Sequence, residues 1–473
     1  APGTSIPSKK VLHSALFEPE ISIPEFLTSV NDNGLDKEDL IIGLKGKERE
    51  VKRVGRFFSL MSWKLRLYFV ITEYLIKKYY VPLFSGLTMA DDYNSVIRKL
   101  LDRSLGQGES NYRRVTFANH FDYSKWNNTQ RGKANNPVFQ VMGLFVGLPH
   151  LFSRTHQFFE ESFIYYNDRG DLMEVRGDKI ENRIGYKVCW EGQLGGLEGL
   201  RQKGWSVVNL LVIERESKIR NTKVKVLAQG DNQVICTYYE IPHSYSNSVL
   251  EEEIPHIVSN NKKIVESISA GTTRLSLVIN MDETMISADY LNYGKVVVFR
   301  GVMLPLTTKR WSRVTCVTND QIPSLGNIMS AVTANSLTVA QQSSSVFPVV
   351  VNFMYFSAFC LWYINQHHPI LGTSTQLYCE IPRNSDMWYD STINLIFLDP
   401  SLGGLCGTSI NRFLLRQFPD PITESLSFWK MVYDGSLNEN LKRLCIMNGN
   451  PKILRPNEAS LIKLLENPMG LNL

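Results

Sequence analysis

Residues 223–239 carry a strand–turn–strand pattern, which constrains the fold more than any other local feature of the sequence. Two largely apolar runs, Lys223–Gln229 and Gln233–Tyr239, flank the tripeptide Gly230-Asp231-Asn232. Glycine and asparagine tolerate positive φ, so the tripeptide predicts a tight hairpin turn. The turn would display the carboxylate of Asp231. Taken alone, this pattern is typical of an ordinary hairpin in which Asp and Asn simply make the turn.

Further strands and helices are predicted on both sides of this hairpin. Arg114–Phe121 predicts a short strand that ends at Asp122. Leu197–Arg220 predicts a long helix, with these apolar residues on one face: Trp205, Val208, Leu211 and Val212. The remaining predictions are helices at Phe57–Lys78 and Val249–Ile268, a strand at Arg274–Asn280, and mostly helices after residue 320. Short strands flanked by more helical ends predict an α+β fold with the chemistry on the central sheet.

The composition is that of an ordinary globular protein. The chain has 473 residues, of which 43% are hydrophobic and 21% are charged. This excludes a mainly disordered, collagenous or coiled-coil protein, and the length suggests about three domains. Seven cysteines are scattered without a CxxC pair, which favours free thiols in a reducing compartment. His367-His368, between Cys360 and Cys379, has a spacing that fits no common zinc site.

One short segment accounts for the whole basic bias. The chain has a net charge of +5, whereas Lys45–Arg66 alone has eight basic and two acidic residues. Such a segment could neutralise a triphosphate or a nucleic-acid backbone. The alternative is a solvated helix face.

The most apolar segment is Phe347–Ile364. Its length approaches that of a membrane span. Pro348, Asn352 and Ser357 interrupt it, and its aromatic residues lie in the middle rather than at the ends. We therefore expect a buried helix and no membrane insertion.

Asp122 and Asp231 indicate a function more strongly as a pair than either does alone. Two carboxylates at the ends of neighbouring strands are what a two-metal phosphoryl-transfer site needs. The glycine-rich segment 192–199 precedes the predicted helix, where glycine allows close backbone approach to a sugar or phosphate, or simply a flexible helix entry. Lys295 could donate a proton, although a single lysine is more often a surface charge.

In their order along the chain, these features resemble the palm motifs of viral RNA-directed RNA polymerases. The sequences of individual segments are similar to those of the large L proteins of nonsegmented negative-strand RNA viruses, and most of all to the vesiculovirus side of the rhabdoviruses. The resemblance extends from about residue 35 onward. The segments that carry the resemblance are GRFFSLMSWKLR (55–66), LTMADD (87–92), GGLEGLRQKGW (195–205), LAQGDNQVICT (227–237), SADYLNYGK (287–295), KRWSRVTCVTNDQIP (309–323) and FPDPITESLSFW (418–429).

This resemblance implies a right-hand polymerase with a small antiparallel palm sheet and helical flanks. It implies the following segments: fingers at 1–110, palm with motif A at 111–130, a fingers insertion at 131–190, palm with motifs B, C and D at 191–310, and thumb at 311–473. The capping and methyltransferase regions of the family would lie outside this partial chain.

The resemblance also implies site residues and two Mg²⁺ or Mn²⁺ ions. Asp122 would be the metal ligand of motif A, and Asp231, followed by Asn232, the metal ligand of motif C. Lys295 would be the proton donor of motif D. The implied nucleotide- and RNA-binding residues are Lys47, Arg49 and Arg56 in motif F and Gly195, Gly196 and Glu198 in motif B. Leu194 departs from the family pattern, which has Glu at this position.

The implied function is RNA synthesis from nucleoside triphosphates on an RNA template, in the virion and the host cytoplasm. The implied partners are template and nascent RNA, the viral phosphoprotein and the nucleoprotein–RNA complex. One alternative is an inactive fragment that binds RNA or the phosphoprotein. Another is a two-metal nuclease, which would need further acidic ligands beside Asp122 or Asp231; Asn232 takes the place of the most obvious one.

Overall fold

A computed structural model describes the chain over residues 21–46, 57–243, 245–304, 307–312, 314, 325–343, 345–367, 386–398, 404–406, 408, 410–415 and 421–450. The chain divides into two compact units, Ala1–Leu304 and Pro305–Leu473. The first mixes strands and helices, and the described part of the second is helical. This is the α+β composition that the sequence predicts.

The strands of the described residues all lie in the first unit. They are β1 (Ile41–Gly46), β2 (Phe57–Met61), β3 (Arg114–Phe121), β4 (Phe163–Tyr166), β5 (Met173–Arg176), β6 (Lys179–Asn182), β7 (Cys189–Glu191), β8 (Lys223–Gln229), β9 (Asn232–Glu240), β10 (Met285–Ser287), β11 (Tyr290–Tyr293), β12 (Val296–Phe299) and β13 (Val302–Leu304).

The helices occur in both units. They are α1 (Ile23–Asn33), α2 (Trp63–Leu75), α3 (Tyr93–Arg103), α4 (Gly132–Phe145), α5 (Arg154–Glu161), α6 (Gln202–Ser217), α7 (Asn247–Arg274), α8 (Thr307–Trp311), α9 (Leu325–Gln342), α10 (Phe347–His367), α11 (Asp386–Phe397), α12 (Ile410–Leu415), α13 (Pro421–Gly435) and α14 (Glu439–Gly449). A π-helical turn, Ile76–Tyr80, continues α2, and short 3₁₀ turns span Lys37–Asp39, Val81–Leu83 and Asn167–Leu172.

The central sheet has the strand order β10-β3-β9-β8, and all of its neighbours are antiparallel. β3 pairs with β9 over its full length, from Arg114 opposite Glu240 to Phe121 opposite Gln233. The predicted strands at 114–121 and in the 223–239 hairpin are therefore confirmed. Since β3 lies between β9 and β10, its end faces neighbours on both sides.

Helices cover one face of this sheet. Phe121 and Ile235 of the sheet share a core with Val208 of α6 and Ile264 of α7. Because the face is closed by helices, its polar groups must pair internally. The buried Asn119 amide exchanges hydrogen bonds with Asn261 of α7 at 2.9 and 3.1 Å, which fixes this helix against the sheet.

The other face packs against the small sheet β11-β12-β13 and helix α3. Ala118 and Val234 of the central sheet contact this second core, together with Leu291 and Leu100. The central sheet is thus buried on both faces at its middle. Its polar turns are left at the edges.

Several sequence predictions differ from the structure. Phe57–Met61 is a strand rather than helix, because it pairs with β1 in a separate sheet of order β2-β1-β4-β7. The helix follows at Trp63, where the Ser62 hydroxyl accepts from the Leu65 N–H. The predicted strand Arg274–Asn280 is mostly wrong, since Arg274 is the last residue of α7 and only a single bridge joins Ile279 to Tyr123.

Helix α6 begins at Gln202, five residues later than the sequence predicts. The glycine-rich segment and Glu198 precede it as a loop. The prediction of a single apolar face is also wrong, because residues 204–210 are all buried whereas Leu211 is exposed. Over residues 204–210 the helix is enclosed by its neighbours, so this part has no polar face that would reveal its orientation.

The second unit has its own apolar core, which contains Val349, Phe353 and Leu361 of α10. The expectation that this segment forms a buried helix holds for one face only, since Phe347 and Tyr355 are 77% and 65% exposed. Within the described residues, no helix is both long and apolar enough to cross a lipid bilayer. The cysteines of the described part are all buried and form no disulfide: Cys189, Cys236, Cys360, Cys406 and Cys445.

Candidate active site at the end of the central sheet

An open cavity of about 520 Å³ lies at the end of β3 and at the β8–β9 turn. Both predicted carboxylates, Asp122 and Asp231, line it. The full lining is His120, Phe121, Asp122, Asp231, Asn232, Glu283, Met285, Tyr290 and Asn292. The structure therefore brings together the two acids that the sequence singles out.

Strand register explains why Asp122 faces Asn232. Phe121 is the last residue of β3 and lies opposite Gln233, so one step further the antiparallel strands would place Asp122 opposite Asn232. Residues directly opposite each other share a face of the sheet. The segment after α7 also fixes the backbone of Asp122, because the Asn280 N–H donates to the Asp122 carbonyl at 2.9 Å.

Asp231 occupies a two-residue turn. Gln229 pairs with Asn232, so the turn consists of Gly230 and Asp231, one residue shorter than the predicted tripeptide. Gly230 has a φ of +63°, as the first central residue of a type II′ turn requires. Asp231 is exposed at the tip.

A second Gly-Asp turn shows why the tripeptide alone carries little information. Gly177 and Asp178 join β5 to β6, with Arg176 paired to Lys179 and a φ of +61° at Gly177. Asp178 does not line the cavity. What distinguishes Asp231 is the second carboxylate, that of Asp122, on the same cavity.

Hydrogen bonds anchor the Asp231 turn from the helix side. The Ser206 hydroxyl of α6 accepts from the Gly230 N–H at 3.0 Å, and the Gln233 amide donates to the Gly230 carbonyl at 3.0 Å. The Gln233 amide oxygen accepts from the Tyr123 hydroxyl at 3.0 Å. Burial raises the pKa of the Tyr123 phenol, so it remains a donor at neutral pH.

His120 connects the cavity wall to two strands. Its Nδ1 donates to the Met285 carbonyl at 3.1 Å, which leaves Nε2 to accept from the Asn292 N–H at 2.9 Å. Burial lowers the pKa of His120, in agreement with a neutral ring. His120 was not among the predicted site residues, although it stands two positions before Asp122 and therefore shares its face of the extended chain. Glu283 was not among them either, and the sequence carries no local signal for it.

The donor set suits a hard divalent cation. The Asp122 and Asp231 carboxylates and the Asn232 amide supply oxygen atoms, which Mg²⁺ and Mn²⁺ prefer, whereas both nitrogens of His120 are already hydrogen-bonded. Within the described ranges, three or more His, Cys, Asp or Glu side chains nowhere cluster closely enough to hold a metal. Two carboxylates that line one open cavity fit an ion shared with a phosphate-bearing substrate.

The glycine-rich loop is packed against the protein itself. A Cβ atom on Gly195 would lie 1.9 Å from the Asn128 carbonyl oxygen, and one on Gly196 would lie 2.0 Å from the Trp205 ring. Glycine is thus required here by internal packing, a reason that the sequence analysis did not foresee. Leu194, in the same loop, is 63% exposed.

Comparison with known proteins places the whole chain in one family. The family model for the Mononegavirales RNA-dependent RNA polymerase matches residues 1–473. The chain belongs to this polymerase family. The resemblance found in the sequence is thereby confirmed.

Rhabdovirus proteins are similar to this chain over all of its length. It is 56% identical to the RNA-directed RNA polymerase L of spring viremia of carp virus, 54% to that of Isfahan virus and 55% to that of Chandipura virus. In each comparison the match covers 100% of this chain. The chain spans only 22–23% of the length of these relatives.

Several residues predicted for the polymerase site either do not line the cavity or lie outside the described structure. Gly195, Gly196 and Glu198 are described but do not line it. Lys295 is at the exposed tip of the β11–β12 hairpin and does not line the cavity. Gly294 and Lys295 have φ values of +58° and +68°, the pattern of a type I′ turn. The predicted motif F cations Lys47, Arg49 and Arg56 lie outside the described residues.

Proposed function

We propose that this chain carries the nucleotidyl-transfer site of an RNA-directed RNA polymerase from a negative-strand RNA virus. The single observation that carries the proposal is the position of Asp122 and Asp231 on one cavity. Family membership supports the same reading, because the relatives are named RNA-directed RNA polymerase L.

Asp122 and Asp231 would hold the divalent cations, with the Asn232 amide beside them. Two bound ions would stabilise the attacking and leaving oxygens of an in-line displacement at phosphorus. The RNA 3′-hydroxyl loses its proton to solvent water, its oxygen forms a bond to the α-phosphorus of the triphosphate, the bond from this phosphorus to the bridging oxygen breaks, and pyrophosphate leaves. The chain's own contribution is to position these carboxylates on a sheet that is buried on both faces.

The remaining assignments extend this proposal. Lys47, Arg49 and Arg56 would neutralise the triphosphate, and Lys295 would be the proton donor to pyrophosphate. Gly195, Gly196 and Glu198 would shape the loop that positions template and ribose. Template RNA, the phosphoprotein and nucleoprotein–RNA would be the partners, in the virion and the host cytoplasm.

Primer extension tests this function. The purified 473-residue chain is given a labelled RNA primer on an RNA template, nucleoside triphosphates and Mg²⁺ or Mn²⁺, with and without the viral phosphoprotein. We expect the primer to be lengthened only when a divalent cation is present. Shortening of the primer would instead favour a nuclease, for which Glu283 on the same cavity would be the additional acid. A primer that is bound but unchanged would favour a binding fragment.

A further inference from the structure

The side chain of Gln233 bridges the two segments that carry the candidate metal ligands. It is completely buried and receives the Tyr123 hydroxyl on its oxygen, while its nitrogen donates to the Gly230 carbonyl. Tyr123 directly follows Asp122, and Gly230 directly precedes Asp231. One amide therefore connects the neighbours of both carboxylates.

Chemistry fixes the orientation of this amide. The Gly230 carbonyl oxygen can only accept a hydrogen bond, so the nitrogen of Gln233 must face it. The oxygen is then directed to the Tyr123 hydroxyl, which donates. A carboxylate at this position would set an oxygen against the Gly230 carbonyl, and a shorter amide would reach only one of the two partners.

The bridge starts where the backbone pairing of β3 with β9 ends. The last paired residues are Phe121 and Gln233, and both Asp122 and Asp231 lie beyond them. Gln233 lies opposite Phe121, and neither Gln233 nor Tyr123 lines the cavity, whereas both carboxylates do. The bridge therefore supports the carboxylates from behind the cavity wall. Its two hydrogen bonds, to Tyr123 and Gly230, continue the connection between the two segments beyond the last backbone pair, where Asp122 and Asp231 lie.

We propose that Gln233 is a positioning residue that sets the spacing of Asp122 and Asp231 and thereby the affinity of the site for divalent cations. This inference rests on the proposed function, because it assumes that the two carboxylates share cations. Partners of metal-ligating residues commonly change metal affinity by about 10- to 100-fold when they are removed.

Direct titration with Mn²⁺ alone tests the proposal without requiring activity. Free Mn²⁺ is followed by electron paramagnetic resonance in solutions of the 473-residue chain and its variants, and each variant is also melted by circular dichroism. We expect Q233M, which keeps the bulk of the side chain but neither hydrogen bond, to weaken Mn²⁺ binding about 10- to 100-fold. Y123F removes a single bond and should weaken binding less. The double variant Y123F/Q233M should bind no more weakly than Q233M.

Y239F is the matched control. It removes a phenol that accepts from Asn260 at 3.2 Å, on the same strand as Gln233 but at its far end. If Y239F and Y123F melt similarly but only Y123F loses Mn²⁺ affinity, a general loosening of the sheet is excluded. D231A identifies the site, since it should remove the saturable binding altogether.

The outcomes separate this inference from the proposed function. Parental Mn²⁺ affinity in Q233M and Y123F, together with lost binding in D231A, would overturn the positioning role and leave the metal site in place. Should Q233M fail to fold, Y123F decides the matter in the same way. Saturable binding that D231A leaves intact would overturn the metal assignment, and with it both proposals.

Discussion

Asp122 and Asp231 come to the same cavity although each lies one or two residues past the end of the β3–β9 pairing. Asp122 follows a strand, whereas Asp231 stands in the turn that opens the neighbouring strand. Antiparallel pairing brings the C-terminal end of β3 and the N-terminal end of β9 together at the same end of the sheet. The two acids are thus joined by topology rather than by a local motif.

Removal of the Asp231 carboxylate should abolish nucleotide addition. We expect D231A to lower primer extension to background, because a cation would lose one of its main anchors, while RNA binding persists. D178A is a matched control, since it alters the same Gly-Asp turn type away from the cavity. Extension at the parental rate by D231A would contradict the two-metal assignment.

Gly196 should tolerate no side chain. A Cβ atom there would lie 2.0 Å from the completely buried ring of Trp205. We expect G196A to lower the free energy of unfolding by at least about 1–3 kcal/mol, the usual cost of overpacking. Urea unfolding followed by tryptophan fluorescence measures this. G170A is the control, because no atom lies within 4 Å of its new Cβ; equal stability of the two variants would refute the packing argument.

His156 should make the fold less stable in mild acid. Burial, assisted by the nearby charge of Arg201, lowers the pKa of His156 to about 4 from 6.5. Its Nε2 accepts from the Trp205 indole and the Asn135 amide, at 3.3 and 3.4 Å, so the folded state disfavours the protonated ring.

The direction of the pH effect follows from this lowered pKa. Between pH 6.5 and 4 the unfolded chain binds a proton at His156 that the folded chain does not, so stability falls as the pH falls through this window. From pH 7.5 to pH 5 we expect a loss of about 2 kcal/mol from this group. Urea unfolding at both pH values checks it, and H156Q should reduce the difference by that amount. An unchanged pH dependence in H156Q would contradict the prediction.

The buried charge of Arg201 should stabilise the first unit. Its guanidinium is completely buried over the rings of Tyr68 and Phe69; Nε donates to the Thr155 hydroxyl at 2.9 Å, and Nη1 lies 3.5 Å from Glu73. We expect R201M to cost about 3–5 kcal/mol of unfolding free energy, because the buried Glu73 loses a partner.

A double variant isolates that cause. E73Q/R201M should recover part of the loss, since no carboxylate is then left without Arg201. R220M, at an exposed arginine, should change stability by less than about 0.5 kcal/mol. If R201M unfolded at the same urea concentration as R220M, the buried charge would have no stabilising role.

Local patterns predicted the elements whose signal is local. Strand β3 and the β8–β9 hairpin were predictable because runs of β-branched and aromatic residues and a Gly-containing turn both act over a few residues. Phe57–Met61 was mispredicted because its apolar residues also fit a helical period, and its pairing with β1 decides for a strand. The start of α6 was mispredicted because Leu197 and Leu200 continue the apolar pattern into a loop.

The site was predictable only as far as its carboxylates. The order of the motifs along the chain and their sequence similarity to the family indicated Asp122 and Asp231, and the structure places both on one cavity. Glu283 and Asn292 also line it, but they arrive from segments distant in sequence, so no local pattern could indicate them. Likewise, a lysine beside a glycine does not reveal that Lys295 stands on an exposed turn away from this wall.

The pairing of β3 with β9 joins residues 112 to 126 positions apart in the chain. During synthesis Asp122 therefore leaves the ribosome well before Asp231 has been added to the chain. Until β9 has been made, the backbone groups of β3 that pair with it have no partner strand. Closure of so long a loop is slow compared with helix formation. Assembly of the cavity should consequently be a late event in folding, and chaperone demand should be greatest in the interval before the hairpin emerges.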